Sequence, residues 1–364
     1  MKNNIFSLKV FIKNDFGIIL VAVLWILVIL TSLAIGIGYR AKIEIELAKH
    51  ALGKLRSKYV AQAGVVYSLG IILSNGGEDS KDKQCGTLYS CGVILEQDQA
   101  PEDIFREVKV SEGVFDIRYI IQDSQTTPRI LYGFQDEERK VNINTLTPET
   151  YKVFSNLMTA LGHDQEVADA MTASILDWKD ANNEVYGGSL GAEDEYYSSQ
   201  EHGYRCKNQP FDSLQELMLV KGMTPEIFES VRPYITIFPK SGRFVINSNT
   251  AAEPVLLAMA RALSGPANNT EISDADSLVQ KILSYRSGDD AIEGTKDDRP
   301  LDLGAMPLNA KERVIFLLFN TMTISKVKYL RAVVKGVDQR TRIPTFIDVV
   351  IDADQHFVVS WNKR

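Results

Sequence analysis

From residue 18 the chain runs for 22 residues without a charge, IILVAVLWILVILTSLAIGIGY. At about 1.5 Å per residue such a helix reaches roughly 33 Å, enough for a bilayer core. Helical spacing continues through AKIEIELAKHALGKLRSKYVAQAGVVYSLGIILS. There Ile43, Leu47 and Ala51 share one stripe, followed by Leu55, Ala63 and Val66, with Lys, Glu and Arg between. The spacing predicts one helix from about Ile18 to Leu73. A plain membrane anchor has no use for the length beyond the bilayer. A fibre subunit does, because such helices can lie side by side.

The pattern then changes period. Gly113 to Asp123 (GVFDIRYIIQD) alternates and predicts a strand, and VKYLRAVVKGV, TFIDVVIDA and QHFVVSWNK predict a C-terminal antiparallel meander. Between them, residues 142–324 read mostly as helix and loop, with Thr147-Pro148-Glu149 as a helix start carrying Pro at its first position. This order predicts an α+β fold, in which a large helical domain (142–324) interrupts a small antiparallel sheet (76–141 and 325–364). Two similar stretches, Asn142-Ile143-Asn144-Thr145 and Asn247-Ser248-Asn249-Thr250, each precede a helix and offer acceptors for its first amides. Duplication and convergent capping both account for four matching positions.

Charge narrows the classes. The net charge is −7 over 364 residues, which disfavours a general nucleic-acid binder. Lys2, Lys9 and Lys13 before the apolar run favour a cytoplasmic N-terminus, with Arg40 and Lys42 diluting the bias. Everything after Tyr39 then lies outside the cytoplasm. In an oxidising periplasm Cys85 and Cys91 can close a small disulfide hairpin; two free thiols are the alternative. Cys206 is left over as a small buried residue.

Two motifs carry candidate chemistry. Phe211 to Ile237 resembles a helix-hairpin-helix unit (211–237), with Val220-Lys221-Gly222-Met223 as its hairpin. Its bases, Lys221 and Arg232, face Asp212, Glu216, Glu226 and Glu229, a poor footprint for phosphates, so no nucleic-acid partner is expected. The stretch Asp177 to Glu195 (DWKDANNEVYGGSLGAEDE) holds six carboxylates and one base, Lys179. Asp180, Asn182 and Glu184 mimic positions one, three and five of an EF-hand loop, but no Gly stands at six and Gly191 stands at twelve. Glu193 and Asp194 can close the site from the far end. Oxygen donors without nearby His or Cys point to a hard cation, Ca²⁺ before Mg²⁺; a solvated acidic loop is the alternative. A second acidic stretch, Gly288 to Asp302, reads as a surface loop, with another cation site as the alternative. His50, His163, His202 and His356 are scattered, and no nucleophile elbow, HExxH, P-loop or dinucleotide fingerprint is present, so no enzyme is expected.

Gly17 followed by IILVAVLWILVILTSLA resembles the class III signal of type IV pilins and type II secretion pseudopilins. The resemblance implies a leader (1–17) cut by prepilin peptidase between Gly17 and Ile18, with methylation of Ile18, a transmembrane part (18–39) and a periplasmic amphipathic helix (40–75). Most pilins carry Glu at mature position five, where it pairs with the N-terminal ammonium of the adjacent subunit; here Ala22 stands there. A subunit without that carboxylate suits the tip, where nothing lies ahead of it. Ala22, Trp25, the large body and the segments Ile175–Asp180 and Gly191–Tyr197 together resemble the minor pseudopilin K family of type II secretion. That family implies a pilin-like fold with an inserted α-domain, one or two Ca²⁺ ions, I- and J-type pseudopilin partners along the N-terminal helix, and an inner-membrane secretion platform. On this resemblance Asp180, Glu184, Glu193 and Asp194 are the expected ligands, with Asp177 as a ligand or a supporting cap. A type IV pilus tip subunit and a membrane-anchored DNA-uptake protein are the alternatives.

Overall fold

The computed structural model describes residues 16–74, 86–96, 98–121, 128–324 and 326–363. Residues 1–15 of the expected leader and Cys85 lie outside them. Helix α1 runs unbroken over Phe16–Ser74, and its most apolar stretch is long and apolar enough to cross a membrane and is uncovered by the rest of the chain. Its C-terminal third lies on an antiparallel sheet. Short helix α2 (Pro101–Phe105) leads to β1 (Val108–Val110), β2 (Gly113–Ile121), β3 (Arg129–Tyr132) and β4 (Gln135–Asp136). The sheet then waits for β7 (Tyr329–Asp338), β8 (Pro344–Asp352) and β9 (Phe357–Lys363), in the order β1-β2-β7-β8-β9, with β3 beside β2 and β4 beside β7. This is the α+β class expected, with the sheet split in sequence and joined in space.

Seating α1 on the sheet depends on small side chains. Gly53, Ser57, Ala61, Gly64 and Ser68 form the inward stripe of α1, all of them buried. Ser57 Oγ meets Thr345 Oγ1 at 2.7 Å. Opposite them, a Cβ on Gly336 would fall within 2.6 Å of Ser57 O. Gly53 lies against Thr341, just past β7, whereas Gly64 lies against Val334 in mid-strand. The helix therefore climbs as β7 descends towards Tyr329, where the helical region joins. That region is attached at the sheet end remote from the membrane-crossing part of α1. Of the stripe expected from periodicity, Leu55 and Val66 face the other way and are exposed, Val66 at 68%, while Leu47 is exposed ahead of the sheet.

Between the two sheet portions lie β5 (Val141–Asn142), α3 (Tyr151–Ala160), α4 (Gln165–Lys179), α5 (Asp194–Ser198), α6 (Pro225–Val231), β6 (Ile235–Thr236), α7 (Glu253–Leu263), α8 (Ile272–Arg286) and α9 (Ala310–Thr321). They enclose their own core around Phe154, Trp178, Leu256 and Ile282, separate from the α1–sheet core around Phe115, Val334 and Ile347. Pro148 does not begin a helix. Thr147–Thr150 closes as a turn, with Thr150 N donating to Thr147 O (3.0 Å), and α3 starts one residue later. The expected capping by the two Asn/Thr stretches is also corrected. In each, the first Asn accepts from the amide of the second (Asn144 N to Asn142 Oδ1, 2.9 Å; Asn249 N to Asn247 Oδ1, 3.1 Å). The second Asn then accepts a distant amide, Phe211 N at 2.7 Å or Leu301 N at 2.9 Å. Each stretch follows a parallel pairing (Val141 with Ile235, Ile246 with Thr323) and precedes two helices. A base at the end of the second helix donates back into each turn, Lys179 to Asn144 O (3.1 Å) and Arg286 to Ser248 O (2.8 Å). The helical region is thus two lobes built on one plan, a likeness that capping alone does not require.

The seam between sheet and lobes is a run of five buried ionisable residues, Asp136 to Lys140. Asp136 accepts from Asn247 Nδ2 (2.8 Å) and Thr250 Oγ1 (2.7 Å), and Glu138 accepts from Lys328 N (2.6 Å). Burial pushes these carboxyls up, Asp136 to about 6 and Glu138 to about 7. Burial also disfavours charge on Glu137, but Lys140 and Arg331 outweigh it and hold the group at about 2. Acids raised in the folded state bind more protons there than when unfolded, so their contribution is lost as pH rises from about 4 to about 7. Replacing Asp136 by Asn and Glu138 by Gln should flatten that part of the stability–pH profile in chelator. An unchanged slope between wild type and double variant would contradict the assignment.

Candidate metal centre

Helix α4 ends inside the acidic stretch. Its last turns are buried, so Asp177 points inward and is itself fully covered. Asp177 Oδ1 accepts from Tyr186 N at 2.9 Å, which folds the following loop back over the helix end. Gly191 rests directly on the Asp177 carboxylate, leaving no space for a Cβ. Two residues further on, the loop delivers Glu193, 4% exposed. Asp177, Asp180 and Glu193 each offer an oxygen within 4.8 Å of the others, the one such group of three acidic, Cys or His residues among the described residues.

This set differs from the expected one. Asp177 belongs to it. Glu184 is exposed and outside it, because the Asp180-x-Asn182-x-Glu184 spacing serves the backbone: Asp180 Oδ1 accepts from Asn182 N (3.1 Å) and Asn182 Oδ1 from Glu184 N (2.6 Å). Asp194 is also outside the group; its Oδ1 accepts from Cys206 N at 2.7 Å and ties the loop to the next segment. Cys206 is free and buried, as expected, and Cys91 is disulfide-bonded, although its expected partner Cys85 lies outside the described residues.

The electrostatics are those of a site short of positive charge. Asp177 Oδ2 and both oxygens of Glu193 are buried without a hydrogen-bond partner. Burial, reinforced by Asp180, pushes Asp177 up to about 6; burial with Asp177 and Asp180 pushes Glu193 up to about 7. Unpartnered buried carboxylate oxygens are costly, and a divalent cation removes both the repulsion and the vacancy of partners. All-oxygen donors suit a hard ion. Next to Asp177 in α4, Trp178 is buried edge-on to Tyr197 at 5.1 Å.

The second acidic stretch is a strap against the sheet. Asp297 Oδ2 accepts from Asp289 N (2.6 Å), Arg286 pairs with Glu293, and Arg129 donates to Glu293 O (2.5 Å). The hairpin unit is a 3-10 turn (Leu214–Leu219), the turn at Gly222 (φ +82°) and α6, capped by Thr224 accepting from Ile227 N at 3.3 Å. Its lysine faces the acidic loop, with Lys221 Nζ donating to Gly191 O at 2.8 Å.

Comparison with known proteins places these features. A family model described as type II secretion system protein K matches residues 139–240. The type II secretion system protein K of Pseudomonas aeruginosa is 25% identical over 260 residues, 71% of this chain and 72% of that one. The Klebsiella pneumoniae protein of the same description is 27% identical over 264 residues, 72% and 74% of the two chains. The Pectobacterium carotovorum protein is 33% identical over 138 residues, 37% and 39%. Among solved structures, the GspK-GspI-GspJ complex of enterotoxigenic Escherichia coli contains a chain of the same fold, with a TM-score of 0.60 and 17% identity, covering 87% of this chain and 99% of that one.

Proposed function

We propose that this chain is a minor pseudopilin of the type II secretion system protein K family and that it sits at the tip of the pseudopilus, where it starts or caps the fibre. The observation that carries the tip reading is the division of labour along α1. One face of its C-terminal third is closed against the sheet by small residues, while Leu55, Tyr59 and Val66 stay uncovered on the other. Exposed apolar side chains in register along a helix favour a partner helix. The solved relative is a complex of GspK with GspI and GspJ; I- and J-type pseudopilins are the partners proposed for this stripe.

The two helical lobes, attached at the sheet end far from the membrane segment, widen the distal end. A subunit broad there and lacking an acid at Ala22 has no means of seating another subunit ahead of it. In this reading prepilin peptidase cuts between Gly17 and Ile18, Ile18 is methylated, the helix is drawn from the inner membrane by the secretion platform, and the body lies in the periplasm. Ca²⁺ is the ligand proposed for Asp177, Asp180 and Glu193. Bound there, it would neutralise the cluster and staple the loop to α4; the unpartnered oxygens of Asp177 and Glu193 support it.

Gold particles directed to a C-terminal tag should mark one apex of each isolated pseudopilus; particles spaced along the shaft would refute the tip assignment. Leu55→Asp combined with Val66→Asp should abolish co-purification with the other minor pseudopilins while leaving the body folded, since both side chains are exposed. Undiminished co-purification would place the contact elsewhere.

A further inference from the structure

We propose that Lys221, the hairpin lysine, is the positioning residue of the carboxylate cluster: it holds the acidic loop against the end of α4, so that Glu193 meets Asp177 and Asp180 before any cation arrives. Lys221 grips the loop on both sides of Glu193. On the near side its Nζ donates to Gly191 O at 2.8 Å and to Leu190 O at 3.4 Å. On the far side its backbone N–H donates to Tyr197 Oη at 3.2 Å, and its Nζ lies 5.2 Å from the centre of the Tyr196 ring. Gly222, at φ +82°, makes the tight turn that lets one residue present its amide and its ammonium to the same loop. The donor geometry that phosphate-binding hairpins direct at a nucleic acid is here used within the chain.

Position and charge have opposite consequences at this residue, which makes the idea testable. The ammonium lies close enough to Asp177 to favour its ionised form. As a charge alone, Lys221 opposes a cation, and removing it would tighten binding. As a positioning group it prepays the ordering of the loop, and removing it weakens binding. The inference rests on the cation reading for its ligand arm only.

Full-length protein in detergent, wild type against Lys221→Met and Lys221→Arg, separates the two. In chelator, amide exchange over Gly191–Tyr197 should be roughly tenfold faster in Lys221→Met, the scale of one lost charge-assisted hydrogen bond, and near wild type in Lys221→Arg. Calcium titrated calorimetrically should bind Lys221→Met roughly tenfold more weakly, with recovery in Lys221→Arg. Unchanged exchange in Lys221→Met, or calcium binding as tight as in wild type, overturns the proposal. If wild type takes up no calcium, the cation reading fails by itself and the exchange measurement alone decides the role of Lys221.

Discussion

Replacing Glu193 by Gln is expected to stabilise the protein in chelator and to destabilise it in calcium. Without metal, both carboxylate oxygens of Glu193 are buried and unpartnered beside two further acids. The neutral amide keeps the shape and removes the repulsion, a gain of about 1–2 kcal/mol on the scale of an unsatisfied buried group. With metal the sign reverses. At a free calcium concentration of about 1,000 Kd the wild type gains roughly 4 kcal/mol, and a variant that no longer binds gains none of it. Asp177→Asn should cross over in the same way with a smaller metal-free gain, because Asp177 Oδ1 already holds the Tyr186 amide at 2.9 Å. Glu184→Gln should do neither, being exposed and outside the cluster. The measurement is the unfolding midpoint of each full-length variant with chelator and with calcium. Curves for Glu193→Gln that shift in one direction under both conditions would remove calcium from this site.

The parts of this fold legible in the sequence are those written in long periodic runs. The span of α1 and the three C-terminal strands follow from period alone, because burial on one face repeats at fixed intervals. The seat of α1 does not. Gly53, Ser57, Ala61, Gly64 and Ser68 carry little hydrophobic signal, so the larger apolar stripe dominates the pattern although it faces away from the sheet. The acidic loop misled for a related reason. Alternating acceptors at 180, 182 and 184 imitate ligand spacing while capping their own amides. Asp177 enters the cluster through a tertiary event, the loop folding back to lay Gly191 on its carboxylate, which no local spacing records. The family resemblance named this loop as a region; which of its oxygens converge had to come from the fold.

Gly336→Val is expected to unseat α1 from the sheet. Gly336 lies near the C-terminal end of β7, where the strand passes directly under α1, and the first atoms a Cβ would meet are backbone, Ala61 N and Ser57 O. Backbone in the middle of a helix cannot rotate away as a side chain does, so helix and sheet must separate. The Ser57–Thr345 hydrogen bond, 2.7 Å and buried, then stretches, and Val60, Ala61 and Val65 lose their cover together. Overpacking of a close-packed core costs about 1–3 kcal/mol, and more where no rotamer relieves it. That is a large part of the total for a domain whose net stability is of order 5–15 kcal/mol. Gly70→Val is the control, because nothing lies within 4 Å of a Cβ there. Under proteolysis in detergent, Gly336→Val should be cut between the helix and the sheet far faster than wild type or the control. The two lobes, which have a core of their own, should survive as a resistant fragment. Equal resistance of Gly336→Val and wild type would mean that α1 and the sheet are not in the close contact on which the outward orientation of the partner-binding stripe depends.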